Sequence, residues 1–286
     1  MNGEIYRSEE QRRIPRMLPE LLRARELLLD LVWKDLRVRY RYAAMGFLWA
    51  VLEPLALMLV LTFVFTVVFA DKVRLAATPD GPPFAVMLLC GLVFWQFLAG
   101  AMSNATHSLT DNDSLVKKVA FPREVIPLAA LGYPLVNLCI GFGVLLAVHV
   151  LYFHGPLGLA VLWFPVVFVI EFVLATGLAL LLSCAHVHYR DVGYIVGVGT
   201  MFGFYASPVF YPLEFVLRSD TLPPWALRLY LANPMAELLT AYRQLLFELR
   251  FPDLWLLVWP SVVAVASLAA GIVLFRRTGP TLSDHL

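Results

Sequence analysis

Long apolar stretches dominate the pattern of hydrophobic and polar positions in this chain. A membrane-spanning helix needs about 20 consecutive, mainly apolar residues. Six stretches of roughly that length predict spans at 46–70, 84–102, 125–153, 157–185, 192–211 and 254–275. Pro127, Gly132 and Pro134 are expected to bend the third span near its start. The pattern predicts an all-α integral membrane protein with six transmembrane helices.

Composition and charge agree with this fold class. Of the 286 residues, 60% are hydrophobic and 15% are charged, whereas soluble domains carry about 25% charged residues. A typical soluble enzyme is therefore excluded, and a net charge of +1 argues against a nucleic-acid binder. Of the 22 lysines and arginines, 16 lie on the side of the N-terminus. The positive-inside rule then predicts that both termini are cytoplasmic, with a cytoplasmic segment at 1–45 and a transmembrane domain at 46–286.

An amphipathic helix is predicted just before the first span, at 18–42. One face is polar and the opposite face is rich in leucine and aromatic residues. This pattern is typical of a helix that lies in the membrane interface. The alternative is a soluble helix that packs on another domain. The polar face comprises Arg23, Glu26, Asp30, Lys34, Arg37 and Arg41.

The region 212–253, between the fifth and sixth spans, is too apolar for a solvated loop and too interrupted to span. Pro223-Pro224 and Asn233-Pro234 divide it. Asn233 suits a helix N-cap and Pro234 the first helical position. An apolar stripe from Met235 to Leu249 follows. We predict two short re-entrant helices here, which form an external gate beside a cavity.

The loop predicted at 103–124 contains a short amphipathic helix on the cytoplasmic side. Asp113 or Asn112 is expected to cap this helix, which runs through Lys118, and Pro122 is expected to end it. Val116, Val119 and Phe121 form an apolar edge. Such a helix fits a groove on a partner protein; the alternative is an unengaged connecting loop.

Candidate catalytic groups are few. The chain has no phosphate-binding loop of the G-x-x-x-x-G-K-[ST] type, so it is not expected to hydrolyse ATP itself. His186 and His188 are too few for a metal site, and a solvated turn is the better interpretation. Glu171 lies near the middle of the fourth span, where an ionised carboxylate costs at least about 2.5 kcal/mol. It is either a proton-relay or substrate contact, or a buried carboxyl hydrogen-bonded to a neighbouring helix.

Several stretches together resemble a known family. They read WKDLRVRYRYAAMGFLWAVLEPL (33–55), NDSLVKKVAFPREVIPLA (112–129), HVHYRDV (186–192), SPVFYPLEF (207–215) and LANPMAELLTAYRQLLF (231–247). In this order they resemble the permease subunit of the ABC exporters that move O-antigen, teichoic acid or group-2 capsule polysaccharide. The chain departs from the family pattern at His186, where asparagine is more usual.

The resemblance implies a homodimer paired with two ATP-binding-cassette ATPase subunits in a bacterial inner membrane. It also implies a polysaccharide linked to undecaprenyl pyrophosphate as cargo, and membrane lipids as surroundings. ATP and magnesium would be bound by the ATPase, and no cofactor by this chain. The residues expected to couple to the ATPase are Asp113, Ser114, Leu115, Lys117, Lys118, Phe121, Pro122, Arg123 and Glu124.

A glycan path requires cations for the pyrophosphate and aromatic rings for sugar faces. Arg37, Arg39 and Arg41 are placed for the pyrophosphate, with binding of anionic lipids as the alternative. Aromatic residues near span ends can also form the ordinary aromatic belt. The channel and gate candidates are Trp49, Glu53, Glu171, Phe202, Tyr205, Phe210, Tyr211, Asn233, Pro234 and Tyr242.

Two other functions remain open at this point. The same fold can export a small molecule or a lipid. A different class, a proton-coupled carrier or membrane enzyme, would use Glu171.

Overall fold

The computed structural model describes residues 23–41, 46–68, 83–118, 121–153, 158–218 and 222–279. These residues are mainly helical, with short turns between the helices, and they include no strand. The parts of the predicted N-terminal segment, external loops and C-terminal tail that fall between or beyond these ranges, and Val119 of the apolar edge, lie outside the described residues. The α-helices in the described ranges are α1 (Arg25–Tyr40), α2 (Trp49–Phe63), α3 (Phe84–Asp111), α4 (Asp113–Lys118), α5 (Val125–Ala129), α6 (Gly132–Phe153), α7 (Phe164–His188), α8 (Val192–Ala206), α9 (Leu213–Leu217), α10 (Pro224–Leu231), α11 (Pro234–Leu246) and α12 (Trp255–Thr278).

Five helical segments in the described residues are long and apolar enough to cross a membrane. A π-helical turn continues α2, and a short 3-10 turn leads into α7. The helices α5 and α6 together form one of the five segments. The all-α class and five of the predicted spans are therefore confirmed, consistent with a multi-pass membrane protein. The segments are Trp49–Val68, Phe84–Asp111, Val125–Leu151, Leu159–His188 and Trp255–Thr278.

The fifth predicted span is shorter than expected. The α8 helix has 15 residues, or about 22 Å, against a hydrocarbon core of about 30 Å. The chain leaves the helix at Ser207 and forms a turn, so a continuous span over 192–211 was wrong. The apolar run misled the prediction because the turn residues are themselves mostly apolar.

The second helix is longer than expected. The α3 helix continues beyond Met102 to Asp111, so the first part of the loop predicted at 103–124 is helical. Its polar side chains do not break it because they bond back to their own helix, as Thr106 Oγ1 does to the Met102 carbonyl at 2.7 Å. Ala105 and Leu109 are fully buried on the same turns.

The predicted bend in the third span is confirmed as a break between α5 and α6. Pro127 lies in α5, and Pro134 lies in the first turn of α6. Gly132 allows α1 to approach closely, since a Cβ at this position would lie 2.5 Å from a methyl group of Val32. In the described structure α1 packs on its own chain, against α5 and α6.

Two apolar clusters hold the bundle together. The main cluster lies among α3, α6, α7, α11 and α12. The second cluster joins α1, α4 and α5 to the ends of α7 and α12, through residues such as Leu31, Val116 and Phe275. We call this side of the bundle the α4 end and the opposite side the α11 end.

Helices α7 and α12 approach each other at two glycines. A Cβ at Gly177 would lie 2.4 Å from the backbone nitrogen of Leu268, and one at Gly271 would lie 2.8 Å from the Gly177 carbonyl oxygen. Close backbone contact of this kind is how helices associate in lipid, where the hydrophobic effect does not drive them together.

Candidate functional site

A polar cavity of about 530 Å³ lies among α2, α3, α6 and α8, and Arg39 of α1 reaches it. This volume falls in the usual range of small-ligand sites. The polar lining comes from Arg39, Glu53, Gln96, Ser103, Asn104, Asn137 and Thr200, and the aromatic lining from Trp95, Phe97, Tyr133 and Phe204. Amides, hydroxyls and rings together can bind a ligand that carries both hydroxyl groups and apolar C–H faces.

Arg39 is held in place from two sides. Its Nη2 donates a hydrogen bond to Asn104 Oδ1 at 2.6 Å, and its guanidinium carbon lies 4.1 Å from the centre of the Tyr133 ring. The residue as a whole remains exposed. A guanidinium oriented in this way is prepared to bind an anion such as a phosphate.

The three interfacial arginines are not equivalent. Arg37 and Arg41 are exposed and are not among the residues that line the cavity, whereas Arg39 is. Partial burial raises the pKa of Asp35, one turn before Arg39, while Lys34 and Arg39 act to lower it. Burial disfavours the charged form of the Asp35 carboxyl. This carboxyl therefore neutralises less of the positive charge of Arg39 than an exposed carboxylate would.

Of the predicted channel residues, Glu53 lines the cavity. Trp49 lies on an exposed surface, 52% accessible, and does not line it. Sequence reasoning missed the amides Gln96, Asn104 and Asn137. The sequence could have indicated them, because an amide inside or at the end of an apolar span costs free energy unless it bonds to a partner or lies in a wet cavity.

Glu171 and Tyr242 lie together, but away from the cavity. Tyr242 Oη donates a hydrogen bond to Glu171 Oε2 at 2.6 Å, and both residues are fully buried. The Tyr242 ring stacks on Phe94, with ring centres 3.6 Å apart and planes within 4°. This geometry supports the interpretation of Glu171 as a buried carboxyl bonded to a neighbouring helix.

The region 212–253 contains three short helices where two were predicted, because the residues before the double proline form α9. Asn233 caps α11 as predicted, since its side chain accepts a hydrogen bond from Met235 N at 3.0 Å, and Pro234 is the first helical residue. The Asn233 Nδ2 also donates to Ser207 Oγ at 2.7 Å. The α11 helix is buried along its whole length.

One face of α8 is apolar, aromatic and exposed. Phe202 and Tyr205 are 72% and 59% accessible. They continue a face that recurs at helical spacing along α8 and also includes Tyr194, Ile195, Val198 and Met201. Phe210 lies instead between Phe65 and Phe204, and Tyr211 Oη donates to the Tyr205 carbonyl at 3.0 Å.

The predicted coupling helix is present as α4, but its apolar residues face inward. Leu115 and Phe121 pack against the second cluster and Val116 is buried. Phe121 is half-buried, so its predicted contact with a partner stays a prediction. The exposed residues of α4 are Ser114, Lys117 and Lys118.

The residues after α4 are also engaged within the chain. Arg123 Nη1 donates a hydrogen bond to the Gly279 carbonyl at the end of α12. Pro122, Arg123 and Glu124 are half-buried, and Glu124 is the residue that precedes α5. The bond of Arg123 ties this segment to the end of α12, and the predicted coupling role of the three residues stays a prediction.

The turn around His186 differs from the sequence interpretation. His186 is buried against His107 of α3, with ring centres 4.5 Å apart, whereas His188 is exposed. A solvated turn was therefore wrong for His186. Gly193 makes room for the pair, since a Cβ there would lie 2.8 Å from the His107 ring.

Comparison with known proteins gives consistent matches. The family described as ABC-2 type transporter matches residues 26–247. The chain is 32% identical over 271 residues to the O-antigen export system permease protein RfbA of Myxococcus xanthus, which covers 95% of this chain and 99% of that protein. It is 28% identical over 221 residues to a protein of the same name from Klebsiella pneumoniae, with 77% and 80% covered.

Proposed function

Because the chain belongs to the ABC-2 type transporter family, we propose that it is the membrane subunit of an ATP-driven exporter of O-antigen polysaccharide. It is a transport subunit and not itself a catalyst. The observation that carries the proposal is the polar cavity, in which Arg39 is combined with amides and aromatic rings. The names of the relatives favour O-antigen over teichoic acid or capsule polysaccharide as cargo.

The cavity is proposed to receive the lipid-linked end of the cargo rather than the polymer. Its volume of about 530 Å³ is that of a small-ligand site. Arg39 would bind a phosphate oxygen of an undecaprenyl pyrophosphate carrier, because guanidinium and phosphate form charge-assisted hydrogen bonds. Glu53, Gln96 and Asn137 would accept from and donate to hydroxyls of the first sugars. Arg37 and Arg41 would attract anionic lipids.

The polymer is proposed to pass between two copies of this chain. The exposed face of α8 carries aromatic rings that sugars can stack on, and two such faces would line one path. The short α8 followed by α9, α10 and α11 would close that path at the external side. Each copy would pair with one ATPase subunit, which binds ATP and magnesium.

The α4 end is proposed to be cytoplasmic and to contact the ATPase. The distribution of basic residues supports this orientation, with both termini in the cytoplasm. Ser114, Lys117 and Lys118 offer the contact because they are exposed on α4. The α1 helix, which bears exposed Trp33 and Val38, would lie in the inner-membrane interface.

Deletion of the gene in its bacterial host tests the proposed function. We expect loss of polysaccharide from the cell surface and accumulation of lipid-linked glycan inside the cell, both reversed by the intact gene. The two pools are measured by surface immunostaining and by mass analysis of extracted lipids. Unchanged surface polysaccharide together with loss of a small molecule from the medium would instead support a small-molecule exporter.

Reversing the charge of Lys117 and Lys118 to glutamate is expected to weaken ATPase binding roughly tenfold. The only mapped ion pair of Lys117 among the described residues is with Asp113 at 3.7 Å. Such exposed pairs contribute about 0.3–0.5 kcal/mol, so the fold should survive the change. Co-purification with the ATPase subunit measures the effect.

Phe121→Asp is the comparison variant, in which we expect a loss of folding and not only of ATPase binding. Its ring packs in the second cluster, so this change is expected to destabilise the chain by about 2 kcal/mol or more. The membrane yield of the variant reports this loss. If the lysine variant binds the ATPase normally, α4 is not the contact with the ATPase.

A further inference from the structure

A second cavity, which we call the α4 pocket, lies where α3 and α7 end and α8 begins. Its volume is about 570 Å³, in the usual range of small-ligand sites. It is separate from the cavity at Arg39, because no described residue lines both. The residues that line the α4 pocket are His107, Thr110, Asp113, His186, Val187, Arg190, Gly193 and Tyr194.

The α4 pocket lies at the depth of the lipid headgroups. The α3 helix has 28 residues, or about 42 Å, whereas the hydrocarbon core is about 30 Å thick. Its apolar run ends at Met102, and polar residues predominate from Ser103 to Asp111. This end of α3 therefore extends past the hydrocarbon. His107 and Thr110 belong to it, so a lipid headgroup can reach the pocket.

The wall of the α4 pocket carries charges of both signs. Arg190, in the turn between α7 and α8, has no carboxylate within salt-bridge distance among the described residues. Asp113 Oδ1 accepts a hydrogen bond from Ser114 N at 2.6 Å, and its Oδ2 lies 3.7 Å from Lys117 Nζ. An exposed ion pair of this kind is weak. A ligand with one negative and one positive group can therefore satisfy Arg190 and Asp113 together.

The helix ends around the pocket have the same two polarities. The α8 helix begins here at Val192, and a helix N-terminus attracts anions. Gly193 allows this start to lie close, since a Cβ there would be 2.8 Å from the His107 ring. The helices α3 and α7 end here, and the carbonyl groups of a helix C-terminus attract cations.

One buried polar atom at the pocket has no partner. His186 is only 7% accessible, and its Nδ1 makes no hydrogen bond within the described part of the chain. A buried polar group without a partner is costly. Because His186 lines the α4 pocket, a ligand bound there can supply the missing hydrogen bond.

A lipid fits the pocket better than a metal ion does. The described residues contain no group of three or more histidine, cysteine, aspartate or glutamate residues placed to hold a metal, and Arg190 would repel a cation beside it. Apolar surface adjoins the pocket instead, because Tyr194 and Ile195 in the first turn of α8 are 80% and 66% accessible. Acyl chains can lie against this turn while the headgroup occupies the pocket.

We propose that the α4 pocket binds the headgroup of a zwitterionic phospholipid with a primary amine, such as phosphatidylethanolamine. Arg190 binds the phosphate through charge-assisted hydrogen bonds. Asp113 accepts hydrogen bonds from the ammonium group, and His186 bonds to the headgroup from the buried side. The bound lipid connects α4 with the turn between α7 and α8. This site goes beyond the proposed function, since it does not depend on what the chain exports.

Lipid competition tests the site on the full-length chain purified in mild detergent. Native mass spectrometry measures the dissociation constants of phosphatidylethanolamine, its N-methylated forms and phosphatidylcholine, all with the same acyl chains. Each methyl group removes an N–H donor, so we expect binding to weaken stepwise, to about tenfold for phosphatidylcholine. Equal binding of phosphatidylethanolamine and phosphatidylcholine would overturn the proposal, and so would tighter binding of phosphatidylglycerol.

Three variants separate the two halves of the site. Arg190→Gln is expected to weaken the binding of all these lipids about tenfold, because each carries the phosphate. Asp113→Asn should reduce the preference for phosphatidylethanolamine over phosphatidylcholine to less than about threefold. Arg228→Gln should bind as the parental chain does, since Arg228 is exposed on α10 and does not line the pocket. Parental binding by Arg190→Gln, or an undiminished preference in Asp113→Asn, would contradict the assignment.

His186→Phe tests the buried side of the pocket. The change keeps a ring against His107 and removes the unpartnered nitrogen. Without lipid we expect thermal stability at least equal to the parental value, and phosphatidylethanolamine should bind about threefold more weakly or worse. Unchanged lipid binding would show that His186 only packs. These measurements need neither cargo nor ATPase, so their failure leaves the proposed function standing, and failure of the gene-deletion test leaves the lipid site standing.

Discussion

Replacing Arg39 by alanine is expected to lower polysaccharide export roughly thirtyfold. The guanidinium is fixed by Asn104 and by the Tyr133 ring beside the cavity. Its loss would remove the charge-assisted hydrogen bond that we propose it makes to a phosphate, worth about 2 kcal/mol, and 1.36 kcal/mol corresponds to a factor of ten. Export by Arg39→Lys should fall between export by the parental protein and export by Arg39→Ala, because lysine keeps the charge without the planar fork. Surface polysaccharide per cell, at equal membrane levels of the protein, measures the effect.

Arg37→Ala is the matched control for Arg39→Ala. Arg37 lies on the same helix, is exposed and is not among the cavity residues. Its removal should change export by about fivefold at most, because an interfacial arginine that attracts anionic lipid contributes about 1 kcal/mol. Equal losses in the two variants would show that the charge of α1 matters and that the cavity does not.

Gly177→Leu is expected to prevent accumulation of folded protein. Even a Cβ at this position would lie 2.4 Å from the Leu268 nitrogen and 2.5 Å from the Ser267 carbonyl carbon. Backbone atoms cannot rotate away as a side chain can, so α7 and α12 must separate. Overpacking alone costs about 1–3 kcal/mol, and separation of the helices adds the loss of their packing. We expect a folded yield below about a tenth of the parental yield, measured by size-exclusion chromatography in mild detergent.

Gly143→Leu controls for the effect of a leucine in an apolar helix. Gly143 lies in α6, and a Cβ there would have nothing within 4 Å. This variant should fold with nearly the parental yield. A normal yield for Gly177→Leu would mean that the close approach of α7 and α12 is not needed for folding.

The membrane class and five spans could be predicted because long apolar runs are a strong and local signal. Helix ends could not. The α3 helix outlasted its apolar run because Thr106 bonds to its own backbone, and α8 ended inside an apolar run because Pro208 and its neighbours form a turn. In both places local hydrogen bonding or turn formation, and not the length of the apolar run, decided where the helix ends.

The candidate site was predictable where charge or capping marks a residue. Arg39 was predicted together with Arg37 and Arg41 as a cation placed for a pyrophosphate, Glu53 as a carboxyl near the end of the first span, and Asn233 because it precedes a proline. Gln96 was missed, since which way a polar side chain of a helix points depends on its neighbours. The sequence also could not show that Phe121 packs against its own chain, because an apolar edge fits a partner and the chain's own core equally well.

If α4 contacts the ATPase as proposed, the hydrogen bond from Arg123 to the Gly279 carbonyl connects that contact to the end of α12. A displacement of the chain just after α4 must carry the end of α12 with it or break a charged hydrogen bond worth about 1.5–3 kcal/mol. At Gly177 and Gly271, α12 packs closely against α7. In the proposed exporter, a displacement of α4 by the ATPase is therefore expected to reach α7 and α12 together.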